Sequence, residues 1–344
     1  MSFTHQLTPI QTTHNPNRLT IAIPTYNRAS LLLNNLKGIA KNLPNWIHLL
    51  IVDNCSDPPV ILDEDLKRTL SERGTTFEIH RNDVNIGGGA NILRCFEHVK
   101  TEWFLLCGDD DLLDSEQLVN LKSLTENASD KAFIKFSSKY YQYTSTTIDN
   151  GVTALLNQVG CFNHLLFMST FIFNKHICKQ FLRFGYLMNS AYAPHVAIAI
   201  LAAREHPFIL APIFGTMANQ ESAAWSPVDV CMCAYYLTDL PIGTADRSAL
   251  IRKIYKSHNI GRELLDIVCI MNTVGMRPEG LFLRRKAIRT HLFFGHGIKR
   301  IGALILLGLS PILKSAAQSA LSYAYFRFKG RVYEQKFISR HANL

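Results

Sequence analysis

The sequence predicts an α/β fold in which a mostly parallel, Rossmann-like sheet carries helices on both faces, followed by a helical C-terminal region. Short apolar runs rich in β-branched residues alternate with helical stretches through the first half of the chain. Polar residues and glycines follow each of these runs. The 344 residues are 47% hydrophobic and only 18% charged, which is enough apolar material for a large core. Strands that alternate with helices form parallel sheets covered on both faces.

Five strands and three helices are predicted before residue 137. The strands are expected at residues 19–24, 48–53, 77–82, 103–107 and 132–136. The helices are expected at residues 29–41, 90–99 and 115–126, with Ser115 as the N-cap of the last one.

The second half of the chain has a less regular pattern. We expect a strand at 167–173, a helix at 194–203, a strand at 207–217 and helices beyond residue 229. The predicted organisation is a polar segment at 1–18, one domain at 19–230 and a helical basic region at 231–344. Within the domain, a first half ends near residue 137 and a second half follows it.

Polar residues gather after four of the predicted strands. Ligands of open α/β sheets bind outside the carboxyl ends of the strands, so this edge is the expected active site. The residues concerned are Thr25, Tyr26, Asn27 and Arg28, then Asp53, Asn54 and Asp57, then Asn85, Gly87, Gly88 and Gly89, and finally Asp109, Asp110 and Asp111.

Three consecutive aspartates after an apolar strand need a cation, because adjacent carboxylates repel each other. Oxygen ligands without nearby His or Cys suit Mg²⁺ or Mn²⁺, whose coordination is usually completed by water and substrate phosphates. The alternative is a solvated acidic turn that caps the next helix. Asp114 and Ser115 could do that alone, which would leave the triplet unexplained.

Several enzyme classes fit the sequence poorly. It has no Walker-type phosphate loop, and "GGGANI" at 87–92 is not the dinucleotide-binding glycine pattern. It also lacks the G-x-S-x-G elbow of serine hydrolases. The first residues are polar, without the apolar stretch of a secretory signal, so a cytoplasmic location is expected.

Four motifs in order resemble family 2 glycosyltransferases of the A-type fold: "IPTYNR" at 23–28, "VDNCSD" at 52–57, "RNDVNIGGGAN" at 81–91 and "CGDDDLL" at 107–113. This resemblance covers about residues 19–137. Three later motifs, "STFIFNK" at 169–175, "APHV" at 193–196 and "NQES" at 219–222, are similar to the abequosyltransferase-type branch that builds lipopolysaccharide O-antigen. They extend the resemblance to about residue 225.

The resemblance implies roles for the residues of the polar edge. The donor nucleotide would be held by Pro24, Thr25, Tyr26, Asn27 and Arg28. Asp53 would meet its base or ribose, and the donor would be flanked by Asn85, Gly87 and Asn91. Relatives often carry D-x-D-D, and here Gly108 stands at the first acidic position. Asp110 is therefore the expected main metal contact, Asp111 the next, and Asp109 an additional donor-site residue.

The implied reaction moves a sugar from a nucleoside diphosphate sugar to a saccharide acceptor with inversion at the anomeric carbon; deoxyhexoses are among the candidate sugars. A base must take the proton of the attacking hydroxyl. Glu221 and His195 are both candidates, although His195 could equally orient the acceptor or simply be a buried histidine. Glu221 is preferred because acidic bases are usual in this family. A nucleotidyltransferase or a non-catalytic sugar-nucleotide-binding protein is the alternative function, and turnover would distinguish them.

The basic charge of the chain is concentrated at residues 281–344. This stretch has twelve Lys or Arg and one acid, a net +11 against +9 for the whole chain, which leaves about −2 for the rest. Its thirteen-residue apolar run "IGALILLGLSPIL" is too short to span a bilayer. We expect an interfacial segment on the inner face of the plasma membrane, facing a lipid-linked acceptor, with a core helix as the alternative. No nucleic-acid-binding module is visible, so no nucleic-acid partner is expected.

Overall fold

A computed structural model describes residues 19–189, 193–217, 233 and 236–257. The described residues contain an eight-stranded sheet in the order β3-β2-β1-β4-β8-β6-β9-β7 and a two-stranded ribbon of β5 and β10. The strands are β1 (Leu19–Thr25), β2 (Ile47–Asp53), β3 (Thr76–Arg81), β4 (Trp103–Leu106), β5 (Leu112–Leu113), β6 (Phe133–Phe136), β7 (Thr147–Asp149), β8 (Phe171–Asn174), β9 (Phe208–Ala211) and β10 (Thr216–Met217).

Helices cover both faces of the sheet. They are α1 (Ala29–Ala40), α2 (Glu64–Glu72), α3 (Gly88–His98), α4 (Ser115–Ser123), α5 (Val152–Gln158), α6 (Phe162–Leu166), α7 (Lys175–Cys178), α8 (Leu182–Leu187), α9 (Pro194–Glu205) and α10 (Thr244–Ser257). Short 3₁₀ turns at Met168–Thr170 and Lys179–Phe181 precede β8 and α8.

The strand directions bring most of the loops that matter to one edge. Strands β1 to β4 are parallel to one another, and β6 is parallel to β9. Strand β8 is antiparallel to both β4 and β6, so β4 and β6 point the same way. The carboxyl ends of six strands therefore share one edge of the sheet, and β8 begins there.

The core forms two layers, one on each face of the sheet. In β1, Ile21 and Ile23 pack on the layer that includes α1, α2 and α4, whereas Ala22 packs on the layer that includes α3 and α9. In β2, Leu49 and Leu50 divide between the layers in the same way. Burial on both faces explains why these strands read as continuous apolar runs rather than as alternating patterns.

The structure confirms the predicted fold class and corrects some of the element boundaries. Helix α4 is capped by Asp114 rather than Ser115, because Asp114 Oδ1 accepts the N–H groups of Glu116 (3.0 Å) and Gln117 (3.3 Å). Such a cap typically stabilises a helix by about 1 kcal/mol. The strand expected at 167–173 is shorter and later, at Phe171–Asn174. Helix α2, capped by Asp63, was not predicted.

No helix among the described residues is both long and apolar enough to cross a membrane. The basic stretch at 281–344 lies outside the described residues, as do most of the helices expected beyond residue 229. The predictions about them are taken up again below as proposals.

Candidate active site

Asp109 is the buried member of the aspartate triplet, with 7% of its surface exposed. Its Oδ2 accepts the hydroxyl of Thr25 at 2.7 Å, and its Oδ1 accepts Arg28 Nη1 at 3.0 Å. The Asn35 amide donates to its backbone carbonyl at 3.0 Å. Burial raises the pKa of Asp109, while Arg28 and Thr25 favour the charged carboxylate. Asp109 therefore fixes the end of β4 to the β1–α1 loop.

Arg28 bridges two members of the triplet. Its Nη1 also donates to Asp110 Oδ2 at 2.9 Å. Burial opposes the guanidinium charge, but the carboxylates of Asp109 and Asp110 outweigh it and raise the pKa of Arg28. This arginine supplies positive charge where the sequence places three acids.

Asp111 is held by Ser169, which lies in the 3₁₀ turn that precedes β8. The hydroxyl of Ser169 donates to Asp111 Oδ2, and the same oxygen of Ser169 accepts the backbone N–H of Gly108 at 2.8 Å. The carbonyl of Ser169 accepts the Thr216 hydroxyl at 2.6 Å. Burial, with the neighbouring carboxylates, raises the pKa of Asp111 to about 7. Ser169 had no role in the sequence prediction, although it opens the quoted motif "STFIFNK".

The oxygens of Asp110 and Asp111 converge beside Gly108. A Cβ atom at Gly108 would lie 2.6 Å from Asp111 Oδ2 and 3.0 Å from Asp110 Oδ1, so a side chain at this position would crowd both carboxylates. No group of three or more His, Cys, Asp or Glu in the described part of the chain is arranged to hold a metal ion. Mg²⁺ needs only one or two carboxylates when water and substrate phosphates complete its shell. The two carboxylates fit a hard divalent cation of that kind.

Asp53 is buried at the end of β2 with both oxygens engaged. Its Oδ1 accepts the N–H of Ser56 at 2.9 Å, and its Oδ2 accepts Arg81 Nη1 at 2.6 Å and the N–H of Val60 at 3.3 Å. Burial opposes the charge of Asp53, but these hydrogen bonds outweigh it and lower its pKa. The contacts give Asp53 a role in shaping the loop after β2. Its contact with a nucleoside stays a prediction.

The loop that follows β1 is joined to the loop that follows β2. Asn27 has a left-handed backbone (φ 53), a conformation that Asn tolerates better than most residues. Its N–H donates to Ser56 Oγ at 2.9 Å, and its Oδ1 accepts the N–H of Asp57 at 2.8 Å. Pro24 is buried within β1, whereas the neighbouring Tyr26 is exposed at the edge.

A chain of asparagine amides connects the ends of the first three strands. The Asn91 amide donates to the carbonyl of Val52 at 2.9 Å and accepts from Asn82 at 2.9 Å. The Asn82 amide also donates to Asn54 at 3.0 Å, and Asn54 donates to Asn85 Oδ1 at 2.6 Å. Asn91 is thus a buried tie between strand ends, and Asn85 is the exposed end of the network.

Gly87 lies at the exposed end of this network, where the chain turns into α3. Its φ of 85° is in the region that favours glycine, and its N–H donates to Asn85 Oδ1 at 2.9 Å. A Cβ atom at Gly87 or Gly88 would meet no described atom within 4 Å. This turn leaves room for a ligand to approach the backbone.

The two candidate bases have different surroundings. His195 is only 1% exposed; its Nε2–H donates to the carbonyl of Leu166 at 3.1 Å, and its ring packs edge-on against Phe171. Burial lowers the pKa of His195 to about 3, so the ring is neutral inside the protein and offers no exposed nitrogen to a substrate. Glu221 lies outside the described residues. The choice of base therefore stays a prediction.

Comparison with known proteins identifies a domain and a fold. Residues 20–164 match the family model described as glycosyl transferase family 2. The structure is similar to that of S. aureus TarS 1-349, with a TM-score of 0.53, 15% identity, and coverage of 92% of this chain and 91% of that one. TarS 1-349 in complex with UDP-GlcNAc gives a TM-score of 0.52 at 16% identity, with 92% of each chain covered. No curated protein matches the sequence.

The matched domain contains the whole strand edge from Thr25 to Asp111. The chain therefore contains a glycosyl transferase family 2 domain, and its sheet and helices are arranged as in the solved TarS structures. At this level of identity the solved structures show only the fold.

Replacing Ser169 with alanine should weaken Mn²⁺ binding by about tenfold, because residues that orient a metal-binding carboxylate typically contribute that much to affinity. The substitution removes the hydroxyl that holds Asp111 and leaves the Gly108 N–H without its partner. The free Mn²⁺ signal in electron paramagnetic resonance measures the affinity for the metal alone.

The matched control is Thr20→Val, which removes a buried hydroxyl bonded to Thr101 Oγ1 at 2.7 Å, near the opposite edge of the sheet. It should leave Mn²⁺ affinity unchanged. Equal Mn²⁺ affinity in Ser169→Ala and the unaltered protein would show that Ser169 does not support a metal site.

Proposed function

We propose that this glycosyltransferase transfers a sugar, with inversion, from a nucleoside diphosphate sugar to a hydroxyl group of a saccharide acceptor. The observation that carries the proposal is the placement of Asp109, Asp110 and Asp111 beside Arg28 at the ends of two neighbouring parallel strands. A buried carboxylate anchors the cluster, and oxygens of the two others lie side by side next to Gly108.

The diphosphate leaving group would bind beside Asp110 and Asp111. A Mg²⁺ or Mn²⁺ ion held by these two carboxylates would offset the negative charge that develops on the diphosphate. Arg28, partly exposed and bonded to Asp110, adds a fixed positive charge at the same place. Asp109 keeps Arg28 oriented and contributes no free oxygen of its own to the ligand.

The nucleoside of the donor would lie along the loops that follow β1, β2 and β3. Tyr26 and Asn85 are exposed there, and the Gly87 turn leaves space for close approach. Asn27 and Asp53 hold these loops in place, and their predicted contact with the nucleoside belongs to this proposal. Since S. aureus TarS has been solved with UDP-GlcNAc, UDP-sugars are the first donors to screen.

Glu221 is the proposed general base, supported by the resemblance to family 2 enzymes and by the burial of His195. The carboxylate would take the proton of the acceptor hydroxyl as that oxygen bonds to the anomeric carbon. The bond from the anomeric carbon to the diphosphate oxygen breaks on the opposite face, and the electron pair leaves with the diphosphate. Attack from that side inverts the anomeric configuration.

The acceptor is proposed to be a lipid-linked saccharide in the synthesis of O-antigen or another surface polysaccharide, with a deoxyhexose among the candidate donor sugars. Two sequence features support this finer assignment. One is the resemblance of the motifs at 169–175, 193–196 and 219–222 to abequosyltransferase-type enzymes. The other is the basic stretch at 281–344, which belongs to the C-terminal region 231–344. This stretch would bind the inner face of the membrane and so hold the 19–230 domain there.

Glu221→Gln should lower kcat by about 10²- to 10⁴-fold while donor affinity is kept, the usual range for a lost general base. The assay follows acceptor-dependent release of nucleoside diphosphate across a panel of nucleoside diphosphate sugars, and nuclear magnetic resonance gives the anomeric configuration of the product. The unaltered protein should release diphosphate only with an acceptor present and should yield the inverted product.

Glu126→Gln is the matched control, since Glu126 is an exposed acid paired with Lys122 on the surface. It should retain full activity. If His195→Ala gives the loss expected of Glu221→Gln while keeping its melting temperature, the two roles must be exchanged. Donor binding without any turnover would contradict the enzymatic function.

A protein that ends at residue 280 should lose the binding to anionic vesicles that the full chain shows. Each Lys or Arg near an anionic surface contributes about 1 kcal/mol, and salt screens that part of the attraction. Co-sedimentation with phosphatidylglycerol vesicles, against phosphatidylcholine vesicles as the neutral control, measures this difference. The membrane assignment fails if the two proteins sediment equally, or if neither does.

A further inference from the structure

Three loops from the part of the domain that follows residue 137 lie at the same edge of the sheet as Asp111. Residues 137–143 follow β6, residues 167–170 precede β8, and residues 212–215 follow β9. Strands β6 and β9 are parallel to β4, and β8 is antiparallel to them. All three loops therefore lie at the edge of the sheet where β4 ends. The Ser169–Asp111 hydrogen bond joins one of these loops directly to the carboxylates.

The loop after β6 is a tight turn that presents Tyr140. Ser138 and Tyr141 exchange two backbone hydrogen bonds, of 2.9 and 3.1 Å, and the N–H of Tyr140 donates to Ser138 Oγ at 3.1 Å. Ser138 Oγ also bonds the buried ring of His164 at 2.8 Å, and the other nitrogen of His164 lies 3.1 Å from the hydroxyl of Tyr143. Buried polar contacts thus fix an exposed turn, which is the rigidity that a binding platform needs.

Tyr140 lies in the loop after β6, at the same edge of the sheet as the aspartates, and it remains 40% exposed. Phe167 packs against it nearly edge-on, with ring centroids 5.9 Å apart and planes at 80°. The ammonium group of Lys139 lies 5.2 Å from the centre of the ring. Burial raises the pKa of the Tyr140 phenol, and the negative charge of Asp111 raises it further, as expected for neighbouring groups.

We propose that Tyr140 is the platform on which a sugar ring of the acceptor stacks. This inference rests on the proposed transfer reaction and assigns its acceptor subsite. The exposed part of the tyrosine ring offers an apolar surface that suits the C–H face of a pyranose, and the adjacent cluster leaves the sugar hydroxyls in polar surroundings. The contact with Phe167 helps to fix the orientation of the ring. An acceptor stacked there lies between the loop after β6 and the donor diphosphate at Asp111.

Tyr140→Ala should raise the acceptor KM by about tenfold, since a stacked sugar covers about 60 Å² of ring surface. Tyr140→Phe and Tyr140→Trp keep the aromatic surface and should restore the KM to within about twofold of the unaltered protein. The probes are the octyl glycosides of mannose, galactose, rhamnose and N-acetylglucosamine, each assayed with the donor that the unaltered protein turns over. The ratio of transfer to donor hydrolysis is recorded for every variant.

Tyr186→Ala is the matched control, because Tyr186 is equally exposed (39%) but bonds Glu97 at the end of α3, away from the acceptor loops. It should leave the acceptor KM unchanged. An unchanged acceptor KM in Tyr140→Ala, or an equal loss in Tyr140→Phe and Tyr140→Trp, would overturn the stacking role while the transfer reaction stands. If the unaltered protein transfers sugar to none of the glycosides, the proposed function fails and the platform with it.

Discussion

The buried carboxylate of Asp109 is the contact on which the geometry of the site depends. A buried charge destabilises a protein by several kcal/mol unless it is paired and hydrogen-bonded. Thr25 and Arg28 supply both kinds of partner; Thr25 is the last residue of the neighbouring strand β1, and Arg28 lies in the loop that follows it. Pairing therefore fixes the turn after β4 against the β1–α1 loop. Asp110 and Asp111 are left at the surface of the cluster, where their oxygens converge beside Gly108.

The ends of the first three strands are connected mainly by neutral groups. Asparagine amides donate and accept at once, so Asn54, Asn82 and Asn91 connect the diverging strand ends without adding charge. Asp53 is a charged exception, and it is paired with Arg81 at the end of the neighbouring strand β3. The charge that a ligand meets at the ends of β1 and β4 is consequently set by the aspartate triplet and Arg28. That arrangement is suited to a diphosphate accompanied by a divalent cation.

Much of the fold of residues 19–137 could be predicted from the sequence. Strands buried on both faces give continuous apolar runs, and parallel strands must end at one edge of the sheet. This rule predicts from the sequence alone that Thr25 and Arg28 lie at the same edge of the sheet as the aspartates. It could not tell which aspartate is buried, since that depends on the turn at Gly108. Ser169 was missed because its contact with Asp111 requires the antiparallel placement of β8. The burial of His195 could have been read from the apolar helix "PHVAIAILAA" around it.

The most direct test of the account is calorimetric titration of UDP, GDP, CDP and dTDP into the protein with and without Mn²⁺. The account predicts Mn²⁺-dependent binding of at least one of them, weakened by about tenfold or more in Asp110→Asn, in line with the loss of a charged ligand. Asp130→Asn, the same change at an exposed aspartate paired with Lys131, should bind as the unaltered protein does. Equal Mn²⁺-dependent affinity in Asp110→Asn and Asp130→Asn would contradict the assignment of the triplet as the diphosphate–metal site.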